Sequence, residues 1–154
     1  MKKEGVHLSL SEQIMSDMKE AMKARDKVRL NTVRMIKSAL MNEKIKAGHD
    51  LTAEEELTVL SREKKQREES IEEFTKANRK DLADETKQEL AIVESYLPKQ
   101  MTQEELNHAV SSAIAEVNAQ GKSDFGKVMK VLMPKIKGKA DGKAASDVVR
   151  KQLK

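Results

Sequence analysis

The stretch that organises the C-terminal part of this 154-residue chain is residues 121–143, GKSDFGKVMKVLMPKIKGKADGK. It contains the same connection twice, because Gly121–Asp124 and Gly138–Asp141 each supply a glycine, a lysine, a small residue and an aspartate. Glycine ends helices and aspartate caps them, so we expect a helix boundary at each copy. The segment between the copies is then one helix, and a second helix follows Asp141.

The helix between these connections has an apolar and a basic side. Its predicted inward residues recur at helical spacing and are Phe125, Val128, Met129, Leu132 and Ile136. Lys127, Lys130 and Lys137 lie near the opposite line, together with Pro134. Pro134 removes the hydrogen-bond donor for the Lys130 carbonyl, so we expect a bend that costs about 3 kcal/mol where nothing relieves it.

Two further helices complete a three-helix tail. Their apolar lines are Leu106, Ala109, Val110, Ala113 and Val117 before Gly121, and Ala145, Val148, Val149 and Leu153 after Asp141. A capping box at Thr102 opens the first of them. Pro98 ends the helix that precedes it. We therefore predict an N-terminal domain over residues 1–97 and a tail domain over residues 102–154.

The N-terminal domain is predicted to hold about four helices. Capping boxes at Ser9 and Thr52 open the first and third, Asp26 caps the second, and Gly48 ends it. The inward residues of the first two helices are predicted to be Ile14, Met18, Ala21, Met22, Leu30, Val33, Ile36, Leu40 and Met41. A fourth helix is expected over about residues 82–97. The predicted fold class is all-α, an N-terminal helical hairpin and long-helix domain followed by the small tail.

The third helix contains a stretch without apolar residues, Ser61–Glu69. Charge pairs four residues apart, such as Glu63 with Arg67, each contribute about 0.2 to 0.5 kcal/mol. A helix that is polar on every side is either solvated or an interaction surface. The mixture of both signs favours a solvated helix over a binding face, and the second interpretation stays open.

Charge is distributed unevenly along the chain. From Lys122 onwards there are ten basic and three acidic residues, a net charge of +7, whereas residues 1–120 sum to −3. A concentrated positive field is typical of a protein that binds a polyanion. The three aromatic residues, Phe74, Tyr96 and Phe125, occupy apolar helix positions and are predicted to be buried. For a nucleic acid as the polyanion, we would therefore expect recognition of shape and phosphate with little base stacking.

Phosphate contact is predicted at the start of the last helix, where free N–H groups lie beside Lys139 and Lys143. Lys122 and Lys127 repeat this arrangement one helix earlier. The alternative is that aspartates already occupy those N–H groups and that the lysines only confer solubility. The residues alone do not separate the two interpretations.

Motifs for catalysis or cofactor binding are not found. The chain has no cysteine, and His7, His49 and His108 have no partner at metal-ligand spacing. Gly121–Ser123 is not a phosphate-binding loop, because Glu116 stands where the first glycine belongs. We expect no catalytic residue, no metal and no cofactor.

Targeting signals are not found either. No apolar run approaches the roughly 20 residues that cross a bilayer, and the first residues lack the apolar stretch of a signal peptide. These features, with the absence of cysteine, predict a cytoplasmic protein without a membrane partner.

The tail resembles a known family. Phe125–Met129 and Leu132–Gly142 are similar to the signature of the GatB/YqeY tail, which also ends the B subunit of glutamine-dependent tRNA amidotransferases. The resemblance to stand-alone YqeY proteins extends over essentially the whole chain, through Leu57–Glu63, Lys65–Arg67, Phe74–Arg79 and Tyr96–Pro98. Phe125 stands where methionine is expected, and Ala144–Ser146 replaces bulkier residues, which affects packing more than charge.

The resemblance implies an all-helical, two-part protein whose tail, in the amidotransferase subunit, contacts tRNA. It also implies an enzyme class, a carbon–nitrogen ligase with glutamine as amide donor. The large catalytic cradle of the B subunit is absent from this chain, so that class describes the relative better than the chain.

The resulting hypothesis is a non-catalytic, tRNA-associated protein that binds folded RNA phosphates. The predicted contacts are Lys122, Lys127, Lys130, Lys137, Lys139 and Lys143, and the predicted structural motif is Gly126, Pro134, Gly138, Asp141 and Gly142. tRNA-modifying or amidotransferase proteins are further candidate partners, and the oligomeric state is left open. Two alternatives remain: an enzyme or accessory in glutamine-dependent tRNA amidation, and a protein-interaction adaptor in which the third helix matters.

Overall fold

The structure, a computed structural model, describes residues 8–153 and confirms the all-α prediction: this range contains helices and no strand. The helices are α1 Leu10–Ala24, α2 Lys27–Ala47, α3 Ala53–Lys76, α4 Lys80–Glu94, α5 Gln103–Val117, α6 Phe125–Ile136 and α7 Gly142–Gln152, with a 3-10 turn at Lys122–Asp124. The chain divides into two compact units, with the boundary between Tyr96 and Leu97. His7 and Lys154 lie outside the described residues. No helix within residues 8–153 is long and apolar enough to span a membrane.

Local capping determines where most helices begin. Asp26, Thr52 and Thr102 each accept a hydrogen bond, at 3.1 Å, from the backbone N–H three residues further on. Ser9 caps α1 in the same way at 3.2 Å. The capping boxes of α3 and α5 are complete, because the threonine N–H in turn donates to the glutamate carboxylate at 2.9 Å. Gly48 ends α2 in the left-handed conformation, at φ 76°. These predicted caps are confirmed, but the capping box predicted at Ser9 is incomplete, because its hydroxyl and not its N–H donates to Glu12.

Two helix ends differ from the prediction. α5 ends at Asn118 in the left-handed conformation and not at Gly121, because asparagine is the other residue that adopts this conformation at small cost. α4 ends at Glu94, before Leu97, and a turn at Ser95 precedes Pro98.

The first unit is built around α2, which packs against α1, α3 and α4. Contacts from Arg29 to Asp17 at 3.4 Å and from Lys37 to Met15 at 3.8 Å make α1 and α2 an antiparallel hairpin, as predicted. The core side chains are Ile14, Ala21, Val33, Ile36, Val59, Leu60, Ala83 and Val93. The predicted burial of Met22 and Met41 is wrong, since both side chains are about half exposed.

Arg67 lies inside the first unit and not on a solvated surface. Its side chain is 6% exposed and 3.1 Å from Glu63 Oε1. Glu89 of α4 lies 3.3 Å from Arg67 Nε, although the geometry is not that of a hydrogen bond, and Met35 of α2 lies 3.8 Å from the guanidinium. The preference for a stretch solvated on every side is therefore wrong at this position, because α4 covers the guanidinium and supplies its counter-charge.

The second unit is a three-helix cluster with a continuous apolar core. Its buried members are Leu106, Val110, Ala113, Val128, Leu132, Ile136, Ala145, Val148, Val149 and Leu153. Phe125 and Met129 are only partly buried against this core. Phe74 and Tyr96 of the first unit are also only partly buried, so the predicted burial of the three aromatic rings is only partial. α6 and α7 run antiparallel, since Arg150 reaches the Phe125 ring and Gly142 lies beside Met133.

The connection between α6 and α7 is fixed by the segment that follows Pro98. Gln100 Nε2 donates to the Gly138 carbonyl at 2.7 Å, and the Met101 N–H donates to the Lys139 carbonyl at 2.8 Å. Gly138 is buried and has φ 76°, a conformation that other residues rarely adopt. The turn that carries Lys137 and Lys139 is thus held in one shape.

Candidate nucleic-acid interface

The outer line of α6 carries Lys127, Lys130 and Pro134, all of them exposed. The buried Val128 and Leu132 lie on the other side of the helix, which is the two-sided pattern that the sequence predicts. Pro134 lies in the last turn of α6, and the bend expected there stays a prediction. The core therefore holds this line of cations towards solvent.

The first end of α6 collects cations from two helices. Lys122, Phe125, Arg150 and Leu153 line an open cavity of about 190 Å³. The Arg150 guanidinium carbon lies 4.9 Å from the centre of the Phe125 ring, a cation–π contact. Sequence reasoning did not place Arg150 in the site. The signal that would have found it is the antiparallel α6–α7 hairpin, which brings the end of α7 to the start of α6.

The two similar connections have different capping. The Asp124 carboxylate accepts a hydrogen bond from the Gln120 N–H at 2.8 Å and lies 3.7 Å from Lys127 Nζ, so the predicted Asp124 cap on α6 is wrong. These contacts, the Gln120 bond first, hold the pKa of Asp124 below its usual value. Asp141 does cap α7, accepting from the Ala144 N–H at 3.4 Å. The Asp141 carboxylate therefore occupies an N–H group at the start of α7, where the sequence predicts a phosphate contact.

The second end of α6 carries Lys137, Lys139 and Lys143. Lys139 and Lys143 are exposed, whereas Lys137 is partly buried. Because Asp141 already accepts at the start of α7, any anion contact here depends mainly on the lysine ammonium groups. The residues of α6 span about 18 Å at 1.5 Å per residue. Five of the six predicted lysines thus lie at the two ends of α6, and the sixth, Lys130, lies between them.

Ion pairing leaves most of these lysines available. Within residues 8–153, no carboxylate lies at ion-pair distance from Lys122, Lys130, Lys139 or Lys143. Lys127 is paired with Asp124, and Lys137 has an interaction of its own. The neighbouring Lys135 was not a predicted contact, and its ammonium lies 2.6 Å from Glu116. Four of the six predicted contacts therefore keep an ammonium group without an ion-pair partner among residues 8–153.

The three glycines of the predicted motif have different environments. Gly138 is required by its backbone conformation. A Cβ at Gly142 would lie 3.5 Å from Met133 Cε, an ordinary contact. A Cβ at Gly126 would meet nothing within 4 Å. Backbone conformation therefore explains Gly138, whereas packing requires a glycine at neither Gly126 nor Gly142. Gly126 leaves an open backbone surface beside Lys127 and Lys130.

The histidines of the described chain are not gathered for metal binding. No group of three potential His, Cys, Asp or Glu ligands occurs within residues 8–153. His49 contacts the Asp50 carbonyl through Nδ1 at 2.8 Å and the Glu55 carboxylate through Nε2 at 3.7 Å. His108 is exposed on α5.

Comparison with known proteins identifies relatives along most of the chain. A family model described as "Yqey-like protein" matches residues 11–153. The chain is 32% identical over 130 residues to "Altered inheritance of mitochondria protein 41, mitochondrial" of Pyrenophora tritici-repentis, a match covering 82% of this chain and 71% of that protein. Its namesake in Lachancea thermotolerans is 34% identical over 110 residues, covering 70% of this chain and 59% of that protein.

These relatives overturn one expectation. Their names state that they are mitochondrial, so the prediction of a cytoplasmic protein is wrong. The features behind that prediction were a lack of cysteine and of an apolar leader. They do not separate cytosol from mitochondrion, because mitochondrial import segments are amphipathic and basic and not apolar.

Proposed function

The chain belongs to the YqeY family, and from that premise we propose that it is a non-catalytic protein that binds folded RNA, with tRNA as the preferred partner. The observation that carries the proposal is the set of exposed lysines in the second unit. Lys122, Lys130, Lys139 and Lys143 have no carboxylate at ion-pair distance within residues 8–153. Such cations displace the counterions of a nucleic acid without first breaking an intramolecular pair.

The charge of each unit supports the same assignment. Residues 97–154 contain eleven basic and six acidic residues, a net charge of +5, whereas residues 1–96 sum to −1. A polyanion is therefore attracted to the second unit. The lysines occur at two ends of α6, so they suit two stretches of phosphate backbone on one folded molecule better than a single bound phosphate.

The second unit favours recognition of phosphate and shape over base reading. Its aromatic ring, Phe125, is partly buried against the core and contacts the Arg150 guanidinium. Single-stranded RNA readers need exposed rings on which bases stack. A structured RNA such as tRNA, which presents ordered phosphates, is the class of ligand that this surface fits.

The test is retention of tRNA by a charge-reversed variant of the full chain. We expect Lys127→Glu with Lys130→Glu, Lys139→Glu and Lys143→Glu to weaken filter binding of total tRNA by at least about tenfold. The matched control reverses four exposed lysines of α3 and α4, Lys65, Lys76, Lys80 and Lys87. Both variants change the net charge equally, so a non-specific charge effect weakens them alike.

The proposal fails if the two variants retain tRNA equally well. Circular dichroism accompanies the binding assay, because both variants must keep the helical spectrum of the parent protein. A loss of tRNA in the second-unit variant alone, with its helices intact, supports binding through these lysines.

A further inference from the structure

The α1–α2 hairpin of the first unit presents large apolar side chains to solvent. Met15, Met18 and Met22 follow one line of α1 at helical spacing, and Met15 and Met22 are 45% and 54% exposed. On α2, Met41 is 49% exposed and Ile45 is 73% exposed. None of these side chains belongs to the buried core of the unit. They form an exposed apolar strip, and strips of this kind mark interaction sites.

The strip borders a groove. One cavity of about 440 Å³ has Met15, Leu40, Met41 and Leu51 in its lining. A second cavity, of about 360 Å³, adjoins it and is lined by Met18 and Met41. We call this continuous depression, defined by Met15, Met18, Leu40, Met41 and Leu51, the methionine groove.

The charges around the methionine groove are unequal at its two ends. Arg34 and Lys37 line the second cavity, and within residues 8–153 neither has a carboxylate at ion-pair distance. At the other end, Lys44 is paired with Asp50 at 2.9 Å. Glu56 lines that end as well, and burial raises its pKa. Lys37 lines both cavities, so the half that contains Arg34 is cationic, whereas the other half is nearly balanced, with Lys37 and Lys44 against Asp50 and Glu56.

We propose that the methionine groove binds an amphipathic helix of a partner protein, with acidic residues placed against Arg34 and Lys37. A groove beside two packed helices is filled by a third helix whose apolar anchors recur every three or four residues. Methionine side chains adapt to such anchors, because they are flexible and polarisable. Binding at the methionine groove does not depend on RNA binding by the second unit. The expected protein-interaction surface is then the α1–α2 hairpin and not α3, where Arg67 is buried.

Charge complementarity selects this occupant over two others. In a two-fold pairing of two copies, Arg34 and Lys37 would face either their own copies or the far end of the groove, where Asp50 is already paired with Lys44. RNA would satisfy the cations but would leave the methionines uncovered, since no aromatic residue lines either cavity for base stacking. An acidic amphipathic helix satisfies both the apolar surface and the charges.

The test uses two synthetic helical peptides with the same leucine face, one flanked by glutamates and the other by lysines. Fluorescence anisotropy with the full chain should show the acidic peptide binding at least about ten times more tightly than the basic peptide. Arg34→Glu with Lys37→Glu should reverse that preference. Met41→Gln should weaken binding of the acidic peptide, whereas Met133→Gln, at a 40% exposed methionine of the second unit, should not.

Three results would overturn the inference. If the two peptides bind equally well, or if neither binds, charge complementarity does not select an acidic helix and the proposal is wrong. A dimer in sedimentation that Met41→Gln dissociates assigns the groove to a second copy. A loss of tRNA retention in the Arg34→Glu and Lys37→Glu variant assigns it to RNA. Since the tRNA assay of the second-unit lysines is separate, the two proposals fail independently.

Discussion

Arg67 in the first unit and the lysines of the second unit are all cations on helices, and the structure uses them in opposite ways. Arg67 is 6% exposed and lies between Glu63 and Glu89. Lys130 and Lys143 face solvent without a carboxylate partner among the described residues. Burial makes a charge depend on its partners, whereas exposure leaves it nearly irrelevant to stability and available to a ligand. The same residue class is therefore structural in one unit and a candidate for binding in the other.

The largest expected effect is the loss of the buried cation. Arg67→Met should lower the free energy of unfolding of the first unit by about 3 kcal/mol, because Glu63 and Glu89 then face each other without a counter-charge. Urea unfolding followed by circular dichroism measures this effect. Adding Glu63→Gln and Glu89→Gln should restore most of the stability. An unchanged unfolding midpoint for the single variant would show that the cluster does not stabilise the unit.

A smaller effect is expected at the turn that carries the second group of lysines. Gly138→Ala should cost about 1 to 2 kcal/mol, because alanine must adopt a left-handed backbone conformation. Gly126→Ala, at an open helical position, should instead stabilise by up to about 1 kcal/mol. Thermal unfolding of the two variants gives the comparison directly. Shifts of the same sign would show that the two glycines do not differ in the way described.

Tyr96 provides a smaller, pH-dependent effect in the first unit. Its hydroxyl donates to Asp17, and burial, with that carboxylate, raises the pKa of Tyr96 above its ordinary value of 10.0. Because this pKa is raised, the protonated Tyr96 hydroxyl contributes fully to the free energy of unfolding below pH 10.0, and this contribution is lost as the pH rises further. Tyr96→Phe should cost roughly 1 kcal/mol at neutral pH. The gap between the parent protein and Tyr96→Phe should then narrow above pH 10.0, and parallel stability curves would contradict this account.

Features that depend on neighbours in sequence were predictable, and those that depend on packing were not. The caps at Asp26, Thr52 and Thr102 need only a side chain and an N–H three residues away. The burial of Arg67 needs Glu89, which α4 supplies from far along the sequence. Asp124 has the right residue type to cap α6, but its carboxylate bonds the Gln120 N–H instead. The local sequence thus determines which hydrogen-bond and ion-pair partners are within reach, and the tertiary structure determines which of these contacts form.

The candidate sites show the same division. The basic line of α6 follows from helical periodicity, so Lys127 and Lys130 were predictable. Arg150 was not, because it joins Lys122 only through the antiparallel packing of α6 and α7. Met41 was predicted to be buried, since apolar periodicity alone does not say which of two neighbouring lines faces the core. The methionine groove therefore became visible only in the structure.

The most direct test of the central claim, that the unpaired lysines of the second unit bind RNA phosphates, is the salt dependence of tRNA affinity. For the parent protein, log affinity should fall with log salt concentration by about 0.7 to 0.9 for each phosphate contact, and four contacts give a slope of roughly 3 to 3.5. Replacing Lys130, Lys139 and Lys143 by glutamine should leave stability nearly unchanged and reduce that slope to about 1. A slope near zero for the parent protein, or one that the three substitutions leave unchanged, would contradict the account.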